Sequence, residues 1–221
     1  TLTIKDSSAD KTGKITVTAT TNSGWNRYSA VIANTVGGKL TVDGGTLEHL
    51  GGTDMAYAID NLTNGQGTYA ETIINGGTMK SPYRAIRQFL NGIEAQNILT
   101  VNGGTIEGAN KSIWMQDPNK NANTGTLTVG ENAQLKGDVY LYVEEGSTSW
   151  PVTVSIAEAA LAEGSEVMTA NLPLGIDVQN INGTYGVVNV VAQIDGTYYQ
   201  TFEAALNAVN DDETITVLDV E

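Results

Sequence analysis

Short runs of alternating hydrophobic and polar residues, separated by glycine turns, recur along the first two thirds of the chain. Three such runs, at residues 39–42, 71–74 and 98–101, are each followed by Asn or Asp, two glycines, a threonine and an aliphatic residue. Alternation with a period of two predicts β-strands, and the glycine pairs predict turns between them. A degenerate fourth copy of the run lies at residues 126–130.

A second set of positions, one aliphatic residue in each repeat, gives the period of the repeat. A period near 27, with two or three short strands in each unit and no helical pattern between them, predicts the coils of a parallel β-solenoid. Each coil would stack on the previous one at about 4.8 Å, so that aliphatic side chains form columns inside the solenoid. The aliphatic members of this set are Val31, Ile59, Ile86, Ile113 and Val139, at intervals of 26 to 28 residues.

The paired glycines of the motif have a physical reason. A corner between strands needs residues with positive φ, which glycine adopts without strain and which Asn and Asp tolerate next best. Asn75 and Asn102 occupy the same motif position one repeat apart, so their side chains are also expected to form a short ladder.

The motif [Asn/Asp]-Gly-Gly-Thr-[Leu/Ile/Met] after a Leu-Thr-Val run resembles the repeats of right-handed parallel β-helices of the pectin-lyase-like class. More narrowly, it is similar to repeats in large secreted or wall-anchored surface proteins of gut bacteria. The resemblance covers roughly residues 1–156 and implies an extracellular location, on the bacterial cell surface or secreted. It implies no particular activity, because this scaffold serves lyases, hydrolases, autotransporter passengers and adhesins.

The last third of the chain has a different pattern. Residues 187–194 and 197–200 flank Asp195-Gly196, which predicts a hairpin with a type I′ turn. Thr201 is a suitable N-cap for a helix that reaches Val209, and residues 214–218 predict a last strand. We therefore predict a mainly β protein: a right-handed parallel β-helix over residues 1–184 and a small β-hairpin/α/β segment over residues 185–221.

Two interpretations of residues 185–221 remain open. The segment resembles one that is common in the same surface proteins, where it caps the start of a following β-helix. It therefore either caps this solenoid or begins another module. Because the chain opens and closes within strand patterns, and open solenoid ends need caps, we expect it to be part of a longer multi-module protein.

Composition and charge exclude several classes of partner. Glycine, threonine and asparagine supply about a third of the chain, which favours strands and tight turns. The formal net charge of -14 repels phosphate backbones and anionic lipid, so no nucleic-acid partner is expected. No apolar run is long enough for membrane insertion. The absence of cysteine excludes thiol catalysis and disulfides.

The positions directly after the interior aliphatic residues form the candidate site. Alternation along a strand turns these side chains outward, beside small residues that precede the aliphatics. Acidic, basic and aromatic groups in such a strip suit sugar rings, which stack on aromatic faces, or an extended peptide. The alternative is that a loop, such as residues 91–97, packs over the strip. The strip consists of Asp60, Arg87, Trp114 and Tyr140, with Ile32 before them and Trp25, Tyr28 and Tyr142 nearby.

Catalytic residues are harder to find. Glycoside hydrolysis needs two carboxyl groups about 5–10 Å apart, whereas the strip offers Asp60 alone. Arg84, Arg87 and Lys111 would neutralise a uronate in a lyase, but the Asp clusters and Arg spacing of pectin-degrading β-helices are missing. His49, the single histidine, has no nucleophile motif beside it and is expected to be a loop residue. We predict no enzyme and no catalytic residue.

Two further patterns predict no site. One histidine without cysteine cannot complete a zinc shell, so no metal or cofactor is expected. Calcium is the alternative, because residues 117–119 and 210–213 offer oxygen ligands, although neither matches a known calcium loop. Threonine pairs such as Thr126 and Thr128 are similar to those of ice-binding solenoids, but we expect them not to stay in register between coils.

The function predicted from these features is a non-catalytic adhesion module. A rigid solenoid would display one lateral face to a host glycan or an extracellular host protein, losing little conformational entropy on binding. A carbohydrate-active β-helix enzyme and a structural spacer without its own ligand are the alternatives.

Overall fold

Parallel strands from successive coils build most of the molecule. A computed structural model describes residues 1–18, 29–51, 55–117, 123–147 and 150–218. The chain is mainly β and forms a parallel β-solenoid of about five turns, as the repeat predicts. In chain order the strands are β1 (Leu2–Ile4), β2 (Lys14–Val17), β3 (Ser29–Thr35), β4 (Gly38–Val42), β5 (Thr46–His49), β6 (Ala56–Gln66), β7 (Tyr69–Ile74), β8 (Thr78–Ser81), β9 (Arg84–Ile93), β10 (Gln96–Val101), β11 (Gly104–Asp117), β12 (Thr124–Val129), β13 (Ala133–Val143), β14 (Val152–Ala157), β15 (Val167–Ala170), β16 (Ile176–Ile181), β17 (Thr184–Asn189), β18 (Ala192–Ile194), β19 (Thr197–Tyr199) and β20 (Thr216–Val217).

Three parallel ladders run along the solenoid. Ladder one contains the runs that precede the glycine pairs, in the order β1, β4, β7, β10, β12 and β14. Ladder two contains β2, β5, β8 and the first halves of the long strands β11 and β13. Ladder three contains β3, β6, β9, the second halves of β11 and β13, and β15. In the last coils ladders two and three therefore share continuous strands.

The predicted interior column is present from the second coil onward. Ile59 pairs with Ile86, Ile86 with Ile113 and Ile113 with Val139, and all four side chains are fully buried. In the first coil the prediction is wrong by one residue, because Ile32 rather than Val31 pairs with Ile59. The outward neighbour of Asp60 in that coil is therefore Ala33 and not Ile32.

An irregularity in the strand pairing, repeated at the same place in successive coils, explains this one-residue shift. Between the residues that pair in ladder three, β3, β6, β9 and β11 each contain one extra residue, and β13 contains none. The small residues Ala58, Ala85 and Ser112 occupy this place and are fully buried. Counting back from the aliphatic residues predicts that Asp138 pairs with Ser112. Because β13 lacks the extra residue, Asp138 pairs with Lys111 instead.

The second glycine of each motif is required by both backbone conformation and space. Gly45, Gly77 and Gly104 have φ values of 83°, 91° and 88°. A Cβ atom on Gly77 would lie 2.5 Å from the carbonyl oxygen of Gly45, and one on Gly104 would lie 2.6 Å from that of Gly77. The corner therefore excludes side chains because the coils approach each other closely there, in addition to the positive φ that the sequence predicts.

The predicted asparagine ladder also exists at this corner. Asn102 Nδ2 donates to Asn75 Oδ1 at 2.8 Å, and Asn75 Nδ2 donates to Asp43 Oδ1 at 2.8 Å. The chain of side-chain hydrogen bonds thus crosses three coils on the exposed edge of the solenoid.

A polar network inside the solenoid was not predicted. Asn34, Asn61 and Gln88 pair in successive coils of ladder three and point inward. Asn61 Oδ1 accepts from Asn34 Nδ2 at 2.9 Å, and Asn61 Nδ2 donates to Asn97 Oδ1 at 2.6 Å. Thr72 Oγ1 also donates to Asn61 Oδ1. These bonds connect ladder three to ladder one through the interior, where an unpaired polar group would be costly.

An antiparallel hairpin closes the last coil of ladder one. Strand β17 pairs antiparallel with β14 on one side and with β16 on the other, and Tyr185 packs against the interior core. The predicted strand over residues 187–194 is thus two strands, β17 and β18. A 3₁₀ turn over Glu158–Ala160 follows β14.

The remaining C-terminal residues form a small unit of three strands and one helix, α1 (Phe202–Ala208). Asp195 and Gly196 both have positive φ in the β18–β19 turn, and Thr201 Oγ1 accepts from the backbone N–H of Ala204, as the sequence predicts. The last strand, β20, is shorter than predicted. The core of this unit is small: Ala192, Ile194 and Ala205 are buried, whereas Phe202 and Leu206 remain about half exposed.

Candidate functional site

The four predicted strip residues form one column on the outer surface of ladder three. Asp60 pairs with Arg87, Arg87 with Trp114 and Trp114 with Tyr140. Their inward neighbours in each strand are the buried aliphatic residues described above. The structure therefore brings all four together. Trp25 and Tyr28, expected to extend the strip, lie outside the described residues.

Asp60 and Arg87 form a buried ion pair instead of an open surface. Arg87 Nε and Nη2 donate to the two carboxylate oxygens of Asp60 at 2.8 and 2.6 Å. The residues are only 6% and 3% exposed. The Arg87 guanidinium also lies 5.0 Å from the ring centre of Tyr57 and 4.4 Å from that of Phe89. In this half of the strip the charged groups are therefore paired with each other and packed against neighbouring rings, and are not exposed to a ligand.

Tyr57 extends this buried cluster. Its side chain is fully buried, and burial raises its pKa to about 12, an effect that the nearby charges of Arg87 and Arg84 partly offset. The phenol is therefore neutral at physiological pH. Its hydroxyl donates to Met55 Sδ at 3.4 Å.

The other half of the strip is accessible and aromatic. Trp114, Tyr140 and Tyr142 are each half-buried on the strands β11 and β13. The rings of Tyr140 and Tyr142 have centres 6.4 Å apart and are inclined by 37°. Backbone pairing with the neighbouring strands on both sides fixes the backbone positions that carry these rings.

Two cations border these rings. The guanidinium of Arg84 lies 3.7 Å from the ring centre of Trp114 and 5.0 Å from that of Tyr83. Lys111 Nζ lies 5.5 Å from the ring centre of Tyr140 and 2.9 Å from Asp138 Oδ2. We call Arg84, Lys111, Trp114, Tyr140 and Tyr142 the cation–aromatic face. The sequence analysis considered Arg84 and Lys111 only as groups that would neutralise a uronate in a lyase. Their position beside the rings was not predicted, because β9 and β11 contain an extra residue before the aliphatic position.

The expected cover by residues 91–97 is not observed. Asn91 and Gly92 continue β9 and pair with β6, while Asn97 is fully buried in the interior polar network. This segment is a corner of the coil and does not cross the outer surface of ladder three.

His49 ends strand β5 and is buried, so the prediction of a loop residue is wrong. Its Nδ1 accepts the backbone N–H of Gly51 at 2.9 Å, and its Nε2 lies 2.9 Å from Ser29 Oγ. Since Nδ1 is an acceptor, Nε2 carries the proton of the neutral ring and donates it to the serine. A catalytic base needs the opposite arrangement, with Nε2 free to accept the serine proton. Burial also lowers the pKa of His49.

The carboxylates of ladder two are paired with lysines. Glu48, Lys80 and Glu107 follow each other in register, and Lys80 Nζ lies 2.6 Å from Glu107 Oε1. Glu48 forms an ion pair with Lys14. Among the residues of ladder two that the structure describes, these alternating charges leave no free pair of carboxyl groups.

A cavity of about 450 Å³ lies elsewhere, between the end of the solenoid and the small C-terminal unit. It is lined by residues 169–177 and by Tyr198, and Asp177 is the single carboxylate among them. A two-carboxylate mechanism therefore finds no second acid in this cavity.

No cluster of three or more metal-ligating side chains occurs within the described ranges. Of the two candidate calcium loops, Asp117 is buried, whereas Pro118 and Asn119 lie outside the described residues. In the other loop, Glu213 Oε2 accepts from the backbone and side-chain nitrogens of Asn210, which closes a turn.

The threonine prediction is confirmed for Thr126, which pairs with Ile98 in the preceding coil, and is wrong for Thr128. Thr3 pairs with Thr41, and Thr100 with Thr128, on the outer surface of ladder one. These two threonine pairs are in register, because the irregular pairing described above lies in ladder three. Ile73 interrupts the column between Thr41 and Thr100.

Comparison with known proteins adds no relative. No protein-family model, curated protein or solved structure matches the chain. Among the residues that the structure describes, no helix has the length and apolar character needed to cross a membrane. The parallel β-solenoid therefore rests on the strand pairing itself.

Proposed function

We propose that the chain is a non-catalytic adhesion module of a bacterial surface or secreted protein, and that its cation–aromatic face binds a glycan or an extracellular host protein. The observation that carries the proposal is the alignment of half-buried aromatic rings on adjacent strands of ladder three. Tyr140 and Trp114 are paired in register, and Tyr142 lies on the same side of β13.

Aromatic rings held at the spacing of β-strands suit a sugar chain. A pyranose presents apolar C–H groups on one face, which stack on a ring, and hydroxyl groups at its edge, which need polar partners. Lys111, Asp138 and the tyrosine hydroxyl groups supply such partners beside the rings. Because the backbone is fixed by neighbouring coils, little entropy is lost when the ligand binds.

We infer the extracellular location from the resemblance of the glycine motif to bacterial surface repeats. The enzyme alternative has less support, because Asp60 is paired with Arg87, His49 donates to Ser29, and the acids of ladder two are paired with lysines. The spacer alternative predicts an inert surface, whereas the outer surface of ladder three carries several accessible rings.

Purified protein tested against a glycan array and a panel of extracellular matrix proteins would separate these functions. Release of reducing sugar and of unsaturated uronate would be measured on the same polysaccharides. Saturable binding without product is the expected result. Product release would favour the enzyme, and inert behaviour in both assays would favour the spacer.

A pair of variants connects binding to the face. Trp114→Ala combined with Tyr140→Ala should abolish binding of the ligand found, with little change in the melting curve. Tyr69→Ala is the matched control, because Tyr69 is also half-buried but lies in ladder one. Unchanged affinity in the double variant would contradict the proposal.

A further inference from the structure

We propose that the ligand is an anionic glycan, whose carboxylate or sulfate group pairs with Arg84 while its sugar ring stacks on Trp114. This inference rests on the proposed function and adds the chemical class of the ligand.

The first argument is the balance of charges around the cation–aromatic face. Arg87 is neutralised by Asp60, and Lys111 by Asp138. Arg84 has no ion pair with any residue that the structure describes. It is thus the cation of this surface whose charge remains available to an external anion.

The second argument is the set of unused hydrogen-bond donors. Nε and Nη1 of Arg84 are buried and have no acceptor among the described residues, and the same holds for Nε1 of the adjacent Trp114. Leaving such donors without partners costs free energy in the unbound protein. A planar guanidinium matches the two oxygens of a carboxylate or the oxygens of a sulfate, so an anion recovers this cost.

The third argument is the position of the guanidinium. Because it lies 3.7 Å from the ring centre of Trp114, it covers that face of the indole. Pairing with an anion requires the guanidinium to shift, and this shift uncovers the ring face. One movement therefore supplies both a charged partner and a stacking surface, which matches a sugar that carries an acidic group.

The remaining surface does not attract anions in general. The chain has a formal net charge of -14, so a polyanion is repelled at long range. Preference for an anionic ligand would consequently come from a local site and not from the overall charge.

Matched pairs of polymers test the inference directly. Binding of the full chain would be measured for dextran sulfate against dextran, and for polygalacturonate against its methyl ester. We expect at least one charged polymer to bind about ten-fold more tightly than its neutral partner. The sulfated and carboxylated arms show which of the two groups is preferred.

Three variants assign the preference to a residue. Arg84→Gln should remove it, and Arg84→Lys should keep part of it, because charge remains but the planar fork is lost. Lys136→Gln removes the same charge from an exposed site on β13 and should leave the preference intact. Thermal melting of each variant confirms that it is folded.

Several results would overturn the inference. Equal binding of charged and neutral glycans, or a preference unchanged in Arg84→Gln, would refute it while leaving the adhesion proposal in place. Binding of poly-glutamate as tight as that of the charged glycans would assign the site to acidic peptides. Failure to bind any glycan or matrix protein would remove the proposed function and this inference together.

Discussion

The outer surfaces of ladder one and ladder three are both built from parallel strands, but their side chains differ in chemistry. Ladder one presents Thr3, Thr41, Thr100 and Thr128 at equivalent positions, with Ile73 among them. Ladder three presents Asp60, Arg87, Trp114 and Tyr140. The solenoid constrains inward positions and corners, whereas outward positions are free to differ from coil to coil. A specific site therefore belongs to the surface where successive coils carry different functional groups.

The largest difference in folding stability between the two surfaces is expected for substitutions at these outward positions. Asp60→Ala should lower the free energy of unfolding by about 3–5 kcal/mol, because it leaves the buried Arg87 charge without its carboxylate. Thr100→Ala, at an outward position of ladder one, should change it by less than about 0.5 kcal/mol. Urea denaturation of both variants measures the contrast. Equal losses would show that the two surfaces do not differ in this way.

Substitution of the second glycine at the corner after ladder one should destabilise the whole coil, and with it both surfaces. Gly77→Ala is expected to cost about 2–4 kcal/mol, since positive φ and contact with the preceding coil both oppose a Cβ atom. Gly76→Ala, one residue earlier, meets its nearest backbone atom at 3.4 Å and should be milder. The comparison requires chemical denaturation of the two variants under identical conditions. If Gly76→Ala were the more harmful change, the explanation of the glycine pair would be wrong.

The folding stability should depend on pH near neutrality because of His49, which is buried at the end of β5. Burial lowers the pKa of His49 in the folded chain, while the unfolded chain keeps the ordinary value of 6.5. The unfolded state then binds more protons, so stability is full above pH 6.5 and declines as the pH falls through the folded value. His49→Gln should weaken this decline between pH 7.5 and 5.5. Melting curves across this range provide the measurement, and parallel declines would contradict the assignment.

The smallest effect is expected for the exposed charges of ladder one. Lys39 Nζ lies 3.0 Å from Glu71 Oε2, and this contact raises the pKa of Lys39. Hydrogen bonds from Tyr69 and, to a smaller extent, Lys39 lower the pKa of Glu71. Solvent screens such pairs, so Lys39→Ala should shift the melting temperature by less than about 2 °C. The shift should shrink further in about 1 M salt. A large, salt-independent shift would make this pair comparable to Asp60 and Arg87.

The sequence predicts the solenoid well because its constraints repeat. The glycine pairs, the interior aliphatics and the ladder of Asn75 and Asn102 each recur at the same interval and need no knowledge of distant contacts. Burial of Asp60 and Arg87 is different, because the period shows that they are neighbours without showing what covers them. Pairing of opposite charges one period apart was an available signal for their ion pair.

Other features were missed for physical reasons. The extra residue in β9 and β11 shifts Arg84 and Lys111 relative to the aliphatic column, whereas β13 lacks it, so counting from the aliphatics does not align Lys111 with Asp138. The interior network was missed because polar residues within a strand suggest an outward position. Asn34, Asn61 and Gln88 nevertheless share the period of 27, which is the sign that they form an inward column.

The most direct test of a binding surface on ladder three is the NMR signal of the tryptophan side chains. The indole N–H of Trp114 would be assigned with Trp114→Phe and followed during titration with the ligand found by the panel. Trp150 is buried in the interior core and is the internal control. We predict that the Trp114 signal shifts saturably while the Trp150 signal stays in place. A ligand that saturates the protein without moving the Trp114 signal would contradict the account.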